Sequence, residues 1–293
     1  MSTGVKVSVQ GNVVEVTLLD YHNTKCHAVK FDAGHWYDPE NMVDVETGEL
    51  LLHEYEKSSE KRTDNTQELL KTFATIRALV NTNCKDPKKI RWITLTYAEN
   101  MTDTKRLKRD FNVFWKRFKR RWGGAEYISV IEPQGRGAWH VHLIAIWQST
   151  APFVPNAELR ECWGQGFVKV NAVREDCDNL GAYLSAYLAD VEVPADGDGT
   201  EKQVDGKTKK FKKRGRLGMY PAHMQIYRTS RGIARPEVFW AEGKENTARW
   251  ADLTEGRTPV YEREITFKDD EGREHRVVKQ QYNLIRSDTR ASF

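Results

Sequence analysis

Several stretches of the chain show one of two patterns. In some, apolar residues alternate with polar ones, and in others, β-branched and aromatic residues are concentrated. Both patterns are typical of β-strands, in which successive side chains point to opposite faces. The first stretch turns back at Gly11-Asn12, which predicts a β-hairpin. A second hairpin is predicted near the C-terminus, around residues 270–272. The predicted strand-containing stretches are 5–19, 90–100, 127–133, 139–147, a part of 157–173, a part of 224–239 and 261–283.

Elsewhere apolar residues recur every three or four positions, which predicts helices over 65–81, 103–122 and 176–189, and a short one within 157–173. The helix over 103–122 has the clearest pattern, and Asp103 is its predicted N-cap. Gly123-Gly124 is predicted to end it. The apolar stripe of that helix consists of Leu107, Phe111, Phe114, Trp115, Phe118 and Trp122.

Three segments lack a helical or strand period. Residues 20–62 mix charged residues with aromatics and predict no element. Residues 193–206 are predicted to be a loop, and the strongly basic residues that follow are either a solvated loop or a nucleic-acid contact. Residues 241–257 are predicted to be a linker.

The 293 residues, 39% of them hydrophobic, suffice for one large or two modest domains. The four cysteines lie far apart without a CxxC pair, which argues against a zinc ribbon or a disulfide scaffold and fits a reducing cytoplasm. No apolar run approaches the roughly 20 residues that span a bilayer, and the N-terminus does not resemble a signal peptide. We therefore expect a soluble cytoplasmic protein without a membrane partner.

The net charge of +4 is mild, but the 46 basic residues cluster while the 42 acidic ones are spread out. A solvated face is the usual explanation of a basic helix. The like charges on helix 103–122 repel one another, however, so a surface that faces phosphates is favoured. The candidate DNA contacts are Lys105, Lys108, Arg109, Lys116, Arg120, Lys209, Lys212, Arg214 and Arg231.

Two histidines in the predicted strand 139–147, His140 and His142, are separated by one residue and therefore share a face. Their neighbours are apolar, and burying two imidazoles is costly unless something binds them. One explanation is a divalent metal, for which imidazole is a common ligand. The other is a pair of partly exposed histidines at a sheet edge. The residues alone leave both explanations open.

A hairpin around the PQGRGA loop would bring Glu132 beside His140 as a third ligand. Two imidazoles and one carboxylate with open positions suit Mg²⁺ or Mn²⁺ bound together with a substrate phosphate. A salt bridge from Glu132 to Arg136 is the structural alternative, and Glu99 is a weaker candidate ligand.

Aromatic residues near these histidines have two possible roles. Tyr183 and Tyr187 are four residues apart on a predicted helix and share a face. Such pairs usually serve packing, but beside a metal site they become candidate nucleophiles. Trp139 either stacks on an unpaired base or belongs to the core.

Taken in order, these segments resemble the HUH endonucleases (U being a hydrophobic residue), and among them the rolling-circle replication initiators of bacterial plasmids and phages. The resemblance covers about residues 65–240, and it depends on the joint order and spacing of short motifs. Those motifs are WITLTYAEN at 92–100, EPQGRGAWHVHLIAIW at 132–147, CWGQGFVKV at 162–170, NLGAYLSAYLAD at 179–190 and QIYRTSRGIARP at 225–236.

The resemblance implies an α+β fold in which helices flank a central antiparallel sheet related to the RNA-recognition fold. Strands 90–97, 127–132 and 139–147 would be central, and the tyrosine helix would lie across the face with the metal. We expect three segments: a β-rich extension over 1–64, an endonuclease domain over 65–240, and an extension with a β-hairpin over 241–293.

The activity that the resemblance implies is the nicking of single-stranded or hairpin origin DNA. A tyrosine, Tyr187 with Tyr183 as its partner, would form a 5′-phosphotyrosyl intermediate, free a 3′-hydroxyl for polymerase, and permit strand transfer at termination. Glu132, His140 and His142 would hold Mg²⁺ or Mn²⁺. Host helicase and polymerase are the further partners implied.

The sequence departs from the family at Ala186 and Asp190, where most relatives carry lysines that are thought to position or neutralise the phosphate. Arg231 or a residue within 207–216 is a candidate substitute. The departure motivates an alternative function, an initiator-derived DNA-binding protein with weak or no cleavage. A transposase or relaxase of the same superfamily is a further alternative.

Overall fold

The structure is a computed structural model. It describes residues 4–20, 42–43, 50–51, 66–134, 137–171, 173, 179–182, 184, 191–193, 200–204, 207–212, 219–220, 224–268 and 272–285. Its helices are α1 (Thr66–Asn83), α2 (Thr104–Trp122), α3 (Asn156–Trp163) and α4 (Gly243–Thr254). Its strands are β1 (Gly4–Gln10), β2 (Val13–Leu19), β3 (Met42–Val43), β4 (Leu50–Leu51), β5 (Ile90–Thr96), β6 (Glu126–Pro133), β7 (Trp139–Ile146), β8 (Val168–Asn171), β9 (Val191–Val193), β10 (Thr200–Val204), β11 (Lys207–Lys212), β12 (Tyr227–Thr229), β13 (Glu237–Trp240), β14 (Tyr261–Lys268) and β15 (Glu274–Asn283).

The central sheet is antiparallel, in the order β12-β6-β7-β5-β8. Strand alternation gives it two apolar faces. On the first, which we call the α2 face, residues such as Ile93 and Leu143 pack against α2 and α3. On the second, the α1 face, residues such as Ile128 and Ile144 pack against α1. Helices therefore cover both faces, which confirms the predicted α+β class.

Helix α2 follows its sequence pattern closely. Leu107, Phe111, Phe114 and Phe118 are its buried residues. The Asp103 carboxylate accepts hydrogen bonds from the backbone N–H groups of Lys105 and Arg106, at 2.8 and 3.1 Å, and so satisfies two donors of the first turn. The helix ends at Gly123, as predicted, in a left-handed region with φ 58° that glycine tolerates.

The two predicted hairpins meet in a second antiparallel sheet, in the order β13-β1-β2-β15-β14. The predicted linker over 241–257 is wrong, because α4 lies there and packs Trp250 and Leu253 onto this sheet. Two apolar residues three positions apart are too sparse a pattern to predict a helix from sequence. The three-segment division stays a prediction, although the outer segments share this sheet.

The loop predicted over 193–206 is also wrong in part, because β10 lies within it. Strands β9, β10 and β11 form a three-stranded antiparallel sheet. Its strands are mostly charged and polar, so they lack the hydrophobic alternation by which strands are recognised. The Asp205-Gly206 pair between β10 and β11 was the available hairpin signal. Among the described residues, none of the helices combines the length and the apolar character that crossing a bilayer requires.

Gly181, in the segment after β8, lies close to the backbone of helix α1. Its backbone N–H donates to Oδ1 of Asn81 on α1 at 2.9 Å, and an added Cβ would lie 2.4 Å from the carbonyl oxygen of Arg77. Backbone cannot move aside as a side chain can. We therefore expect Gly181→Ala to lower the free energy of unfolding by about 1–3 kcal/mol, measured by urea unfolding.

Gly4→Ala is the matched control for Gly181→Ala. An added Cβ at Gly4 would lie 3.3 Å from the end of the Trp240 side chain and at ordinary contact distances, 3.8 Å or more, from Leu19. The Trp240 indole is partly exposed and free to shift. We expect a change within about 0.5 kcal/mol. Equal losses in the two variants would contradict the close approach at Gly181.

Candidate metal centre

The antiparallel register of β6 and β7 places Glu132 directly opposite His140, and His142 projects from the same face two residues further on. The ligand atoms of the three side chains lie within 4.8 Å of one another. Glu132 and His142 are 3% and 1% exposed, and His140 is half-buried. Since β7 lies between β6 and β5, the alternative of two histidines at a sheet edge is wrong.

Both ring nitrogens of His142 have neighbours that orient the imidazole. Nε2 faces the Glu132 carboxylate in a very short contact. Nδ1 lies 3.5 Å from Nε1 of Trp92 and 3.4 Å from Oγ1 of Thr94. An indole N–H can only donate, so Nδ1 acts as an acceptor and the proton of the neutral ring lies on Nε2.

A divalent cation bound at Nε2 would require the other tautomer, with the proton on Nδ1. The Thr94 hydroxyl can then accept from Nδ1, because a hydroxyl both donates and accepts. Neighbours of this kind fix the ring orientation of metal-binding histidines in general. The site can therefore hold a cation, with Thr94 as the residue that supports His142.

The donor set consists of two nitrogens and one oxygen, and it fits a divalent cation with positions left for other ligands. Glu99, the weaker candidate, instead forms an ion pair with Arg106 at 2.6 Å. Arg136, the alternative partner of Glu132, lies outside the described residues.

Burial lowers the pKa of the His142 imidazole from 6.5 to about 4. The unfolded chain then takes up a proton at this position at higher pH than the folded protein does. The free energy of unfolding should therefore fall as the pH drops from 6.5 toward 4, by up to about 1.4 kcal/mol per pH unit. Urea unfolding across this range measures the slope.

His142→Gln removes the titrating group and is the comparison for this pH dependence. We expect its stability to change less steeply over the same range than that of the wild type. Parallel profiles for the two proteins would mean that His142 does not titrate between the folded and unfolded states as its burial requires.

The predicted tyrosine helix is described only in part. Residues 180–182 and 184 are helical, and Leu180 and Leu184 are buried among the residues of the α1 face. This segment therefore packs on the face that carries Glu132, His140 and His142. Tyr183, Tyr187, Ala186 and Asp190 lie outside the described residues.

The predicted DNA contacts divide into three groups. Those on α2 are exposed, but the helix covers the α2 face, opposite the metal centre. Arg231 is exposed and follows β12, where the next residue, Gly232, donates to Glu126 at the end of β6 away from Glu132. Lys209 and Lys212 belong to β11, but their side chains, like the whole of Arg214, lie outside the described residues.

Trp139 belongs to the core. It is 5% exposed, and its indole N–H donates to the carbonyl oxygen of Thr102 at 2.8 Å. Thr94, which supports His142, and Trp92, whose indole N–H faces the same ring nitrogen, are neighbours that the histidine motif alone does not indicate. Their signal in the sequence is the shared face of alternate residues in strand 90–100, but their contact with His142 depends on the register of β5 and β7.

Residues 90–192 match a family model of replication-associated proteins, that of the replication-associated protein ORF2. The match covers about a third of the chain, and it contains Glu132, His140 and His142 as well as the segment with Tyr183 and Tyr187. It supports a replication initiator, which is a protein that binds DNA. Neither the curated proteins nor the solved structures contain a match to the chain.

Proposed function

We propose that the protein is a rolling-circle replication initiator of the HUH type that nicks single-stranded origin DNA. The observation that carries the proposal is the cluster of Glu132, His140 and His142, which lies inside the segment that resembles replication-associated proteins. An initiator of this kind needs a cation site beside a nucleophile. The packing of Leu180 and Leu184 on the same face of the sheet supports that placement.

In the proposed reaction the phenolic oxygen of Tyr187 or Tyr183 attacks a backbone phosphorus. A bond forms between that oxygen and phosphorus, and the bond from phosphorus to the 3′ oxygen breaks. The phenolic proton passes to solvent, and the departing oxygen takes up a proton to become the free 3′-hydroxyl. The new phosphotyrosyl ester keeps the 5′ end attached, so a later hydroxyl can reverse the step and rejoin strands.

The residues of the metal centre have separate roles in this proposal. Glu132, His140 and His142 hold the cation, which supplies charge stabilisation at the phosphate oxygens. The Glu132 carboxylate balances part of the cation charge, and Thr94 keeps the His142 ring in place. These contacts prearrange the site before DNA arrives.

The basic surface of α2 binds DNA away from the reacting phosphate. Because α2 lies on the opposite face of the sheet, its lysines and arginines would contact phosphates of a different part of the origin. Binding there adds affinity without reading bases and weakens steeply as salt is raised.

Covalent adduct formation tests the proposal. We expect the wild-type protein, incubated with single-stranded origin oligonucleotide and Mn²⁺, to give a slower band on a denaturing gel, and EDTA to prevent it. The 3′ fragment of the labelled strand should remain attached to the protein, because its 5′ phosphate is the group transferred.

A DNA-binding protein that does not cut predicts the opposite result on the same gel. Ala186 and Asp190, in place of the lysines common in relatives, motivate that alternative. If the wild type retards the oligonucleotide on a native gel but gives no adduct with Mn²⁺ or Mg²⁺, the nicking function is wrong and the binding function remains.

A further inference from the structure

A lysine on the edge strand β8 shares a face with the metal centre. Lys169 pairs with Thr94 on β5, and Thr94 pairs with His142 on β7. The residues on either side of Lys169, Val168 and Val170, pack against the core of the α2 face. Alternation therefore directs Lys169 to the α1 face, about 10 Å from His142 across two strand spacings. Its side chain is exposed.

An exposed aromatic ring precedes this lysine by two residues. Phe167 is 65% exposed, and its carbonyl oxygen accepts from the backbone N–H of Thr96 at 2.8 Å. Thr96 is in turn the partner of His140 on β7. Phe167 is thus attached to the end of β5 that lies beside the metal centre.

The backbone before Phe167 is fixed rather than loosely placed. A Cβ on Gly166 would lie 2.4 Å from the backbone nitrogen of Ala98 and 2.5 Å from the carbonyl oxygen of Thr96. A hydrogen bond from the Ala98 N–H to the carbonyl oxygen of Gln165, at 2.9 Å, keeps these two backbone segments close together. The ring is therefore presented from a rigid support.

Cations of both faces of the sheet lie near the ring. The guanidinium carbon of Arg160, on helix α3 of the α2 face, lies 5.8 Å from the centroid of the Phe167 ring. Lys169 follows in the strand with its side chain on the α1 face, so Phe167 lies at the edge of the sheet between these two cations. An aromatic face beside positive charges suits a strand with unpaired bases and a phosphate backbone, because bases stack on rings while cations bind phosphates. Duplex DNA presents no free base faces and does not fit this pairing.

On the premise of the proposed function, we infer that Phe167 and Lys169 form a subsite for single-stranded DNA beside the metal centre. Phe167 stacks on one unpaired base, and Lys169 contacts the phosphate backbone. The subsite directs the strand along the edge of β8 toward Glu132, His140 and His142.

The test of Phe167 measures binding without cleavage. Fluorescence anisotropy in EDTA follows a labelled single-stranded oligothymidylate of about 16 nucleotides. We expect Phe167→Ala to raise the Kd about tenfold and Phe167→Trp to keep it close to wild type, because an indole also stacks. Phe153→Ala is the matched control, since Phe153 is 82% exposed but follows Pro152, whose carbonyl oxygen accepts from Arg91 at the other end of β5.

The test of Lys169 measures the salt dependence of the same binding. Loss of one phosphate contact should reduce the slope of log Kd against log salt by about 0.7 in Lys169→Gln. Lys244→Gln, an exposed lysine of α4, removes the same charge elsewhere and should leave the slope unchanged.

The outcomes separate this subsite from the proposed nicking function. Equal affinities of the wild type and Phe167→Ala for the oligothymidylate overturn the subsite, whether or not the wild type forms a covalent adduct. An equal loss of affinity for a duplex of the same length also overturns it, because stacking on unpaired bases cannot explain that loss. Weaker single-strand binding by Phe167→Ala with no adduct from the wild type supports the subsite and contradicts nicking.

Discussion

His142→Ala is expected to reduce covalent adduct formation by more than about 100-fold. Loss of a residue that only supports a metal ligand costs up to about 100-fold in activity, and loss of a ligand itself should cost more. His142 contributes one of the three ligand atoms and is almost fully buried. Its removal also leaves the buried Glu132 carboxylate without the imidazole that faces it. Calorimetry with Mn²⁺ should show weaker cation binding, and a denaturing gel should show the missing adduct.

Two further histidine variants make the His142 result specific. His140→Ala removes a half-buried ligand, so a loss of adduct there is less open to explanation by unfolding. His275→Ala changes a histidine of β15, outside the metal centre, and should leave the adduct at the wild-type level. If His142→Ala is folded, as urea unfolding would establish, and still forms the adduct normally, the metal centre is not part of the reaction.

The double variant Tyr183→Phe, Tyr187→Phe is expected to form no adduct while binding origin DNA with a Kd within about twofold of the wild type. Phenylalanine keeps the ring but lacks the oxygen that forms the phosphotyrosyl bond. Of the single variants, Tyr187→Phe should lose more adduct than Tyr183→Phe. The gel assay measures the first effect, and anisotropy with the same oligonucleotide measures the second.

Other tyrosines supply the comparisons for this double variant. Tyr261→Phe, on the exposed part of β14, should behave as the wild type. Tyr227 pairs with Val130 on β6 and packs against the core of the α1 face, so it lies on a strand next to one that carries a metal ligand. If the double variant still forms the adduct and Tyr227→Phe does not, the nucleophile is Tyr227 on β12.

Local elements could be predicted from the sequence because their determinants lie close together in the chain. Helix α2 has its cap, its apolar stripe and its terminal glycine within residues 103–123. The pairing of Glu132 with His140 could also be predicted, because a short loop joins β6 and β7 and permits few registers between these strands. The predictions were wrong at α4 and in the region of β9 to β11. Apolar residues are few in α4, and charged and polar residues predominate in the three strands.

Exposure could not be predicted for single aromatic residues. Trp139 was a candidate for base stacking, yet it is buried and donates to Thr102. Phe167, within the CWGQGFVKV motif, is 65% exposed, and its carbonyl oxygen accepts from the backbone of Thr96, the partner of His140. Neighbouring residues in the chain do not distinguish the two, because burial depends on which elements pack over each position.

The two-residue spacing of His140 and His142, their shared face and the upstream carboxylate follow from the amino-acid sequence alone. The support of His142 by Thr94, the place of Lys169 in the same row of the sheet, and the position of the basic helix α2 on the opposite face depend on how the chain folds. The difference comes from the separation along the chain of the residues that interact. Side-chain alternation follows from backbone geometry within a strand, whereas strand order and helix placement depend on packing between residues far apart in the chain.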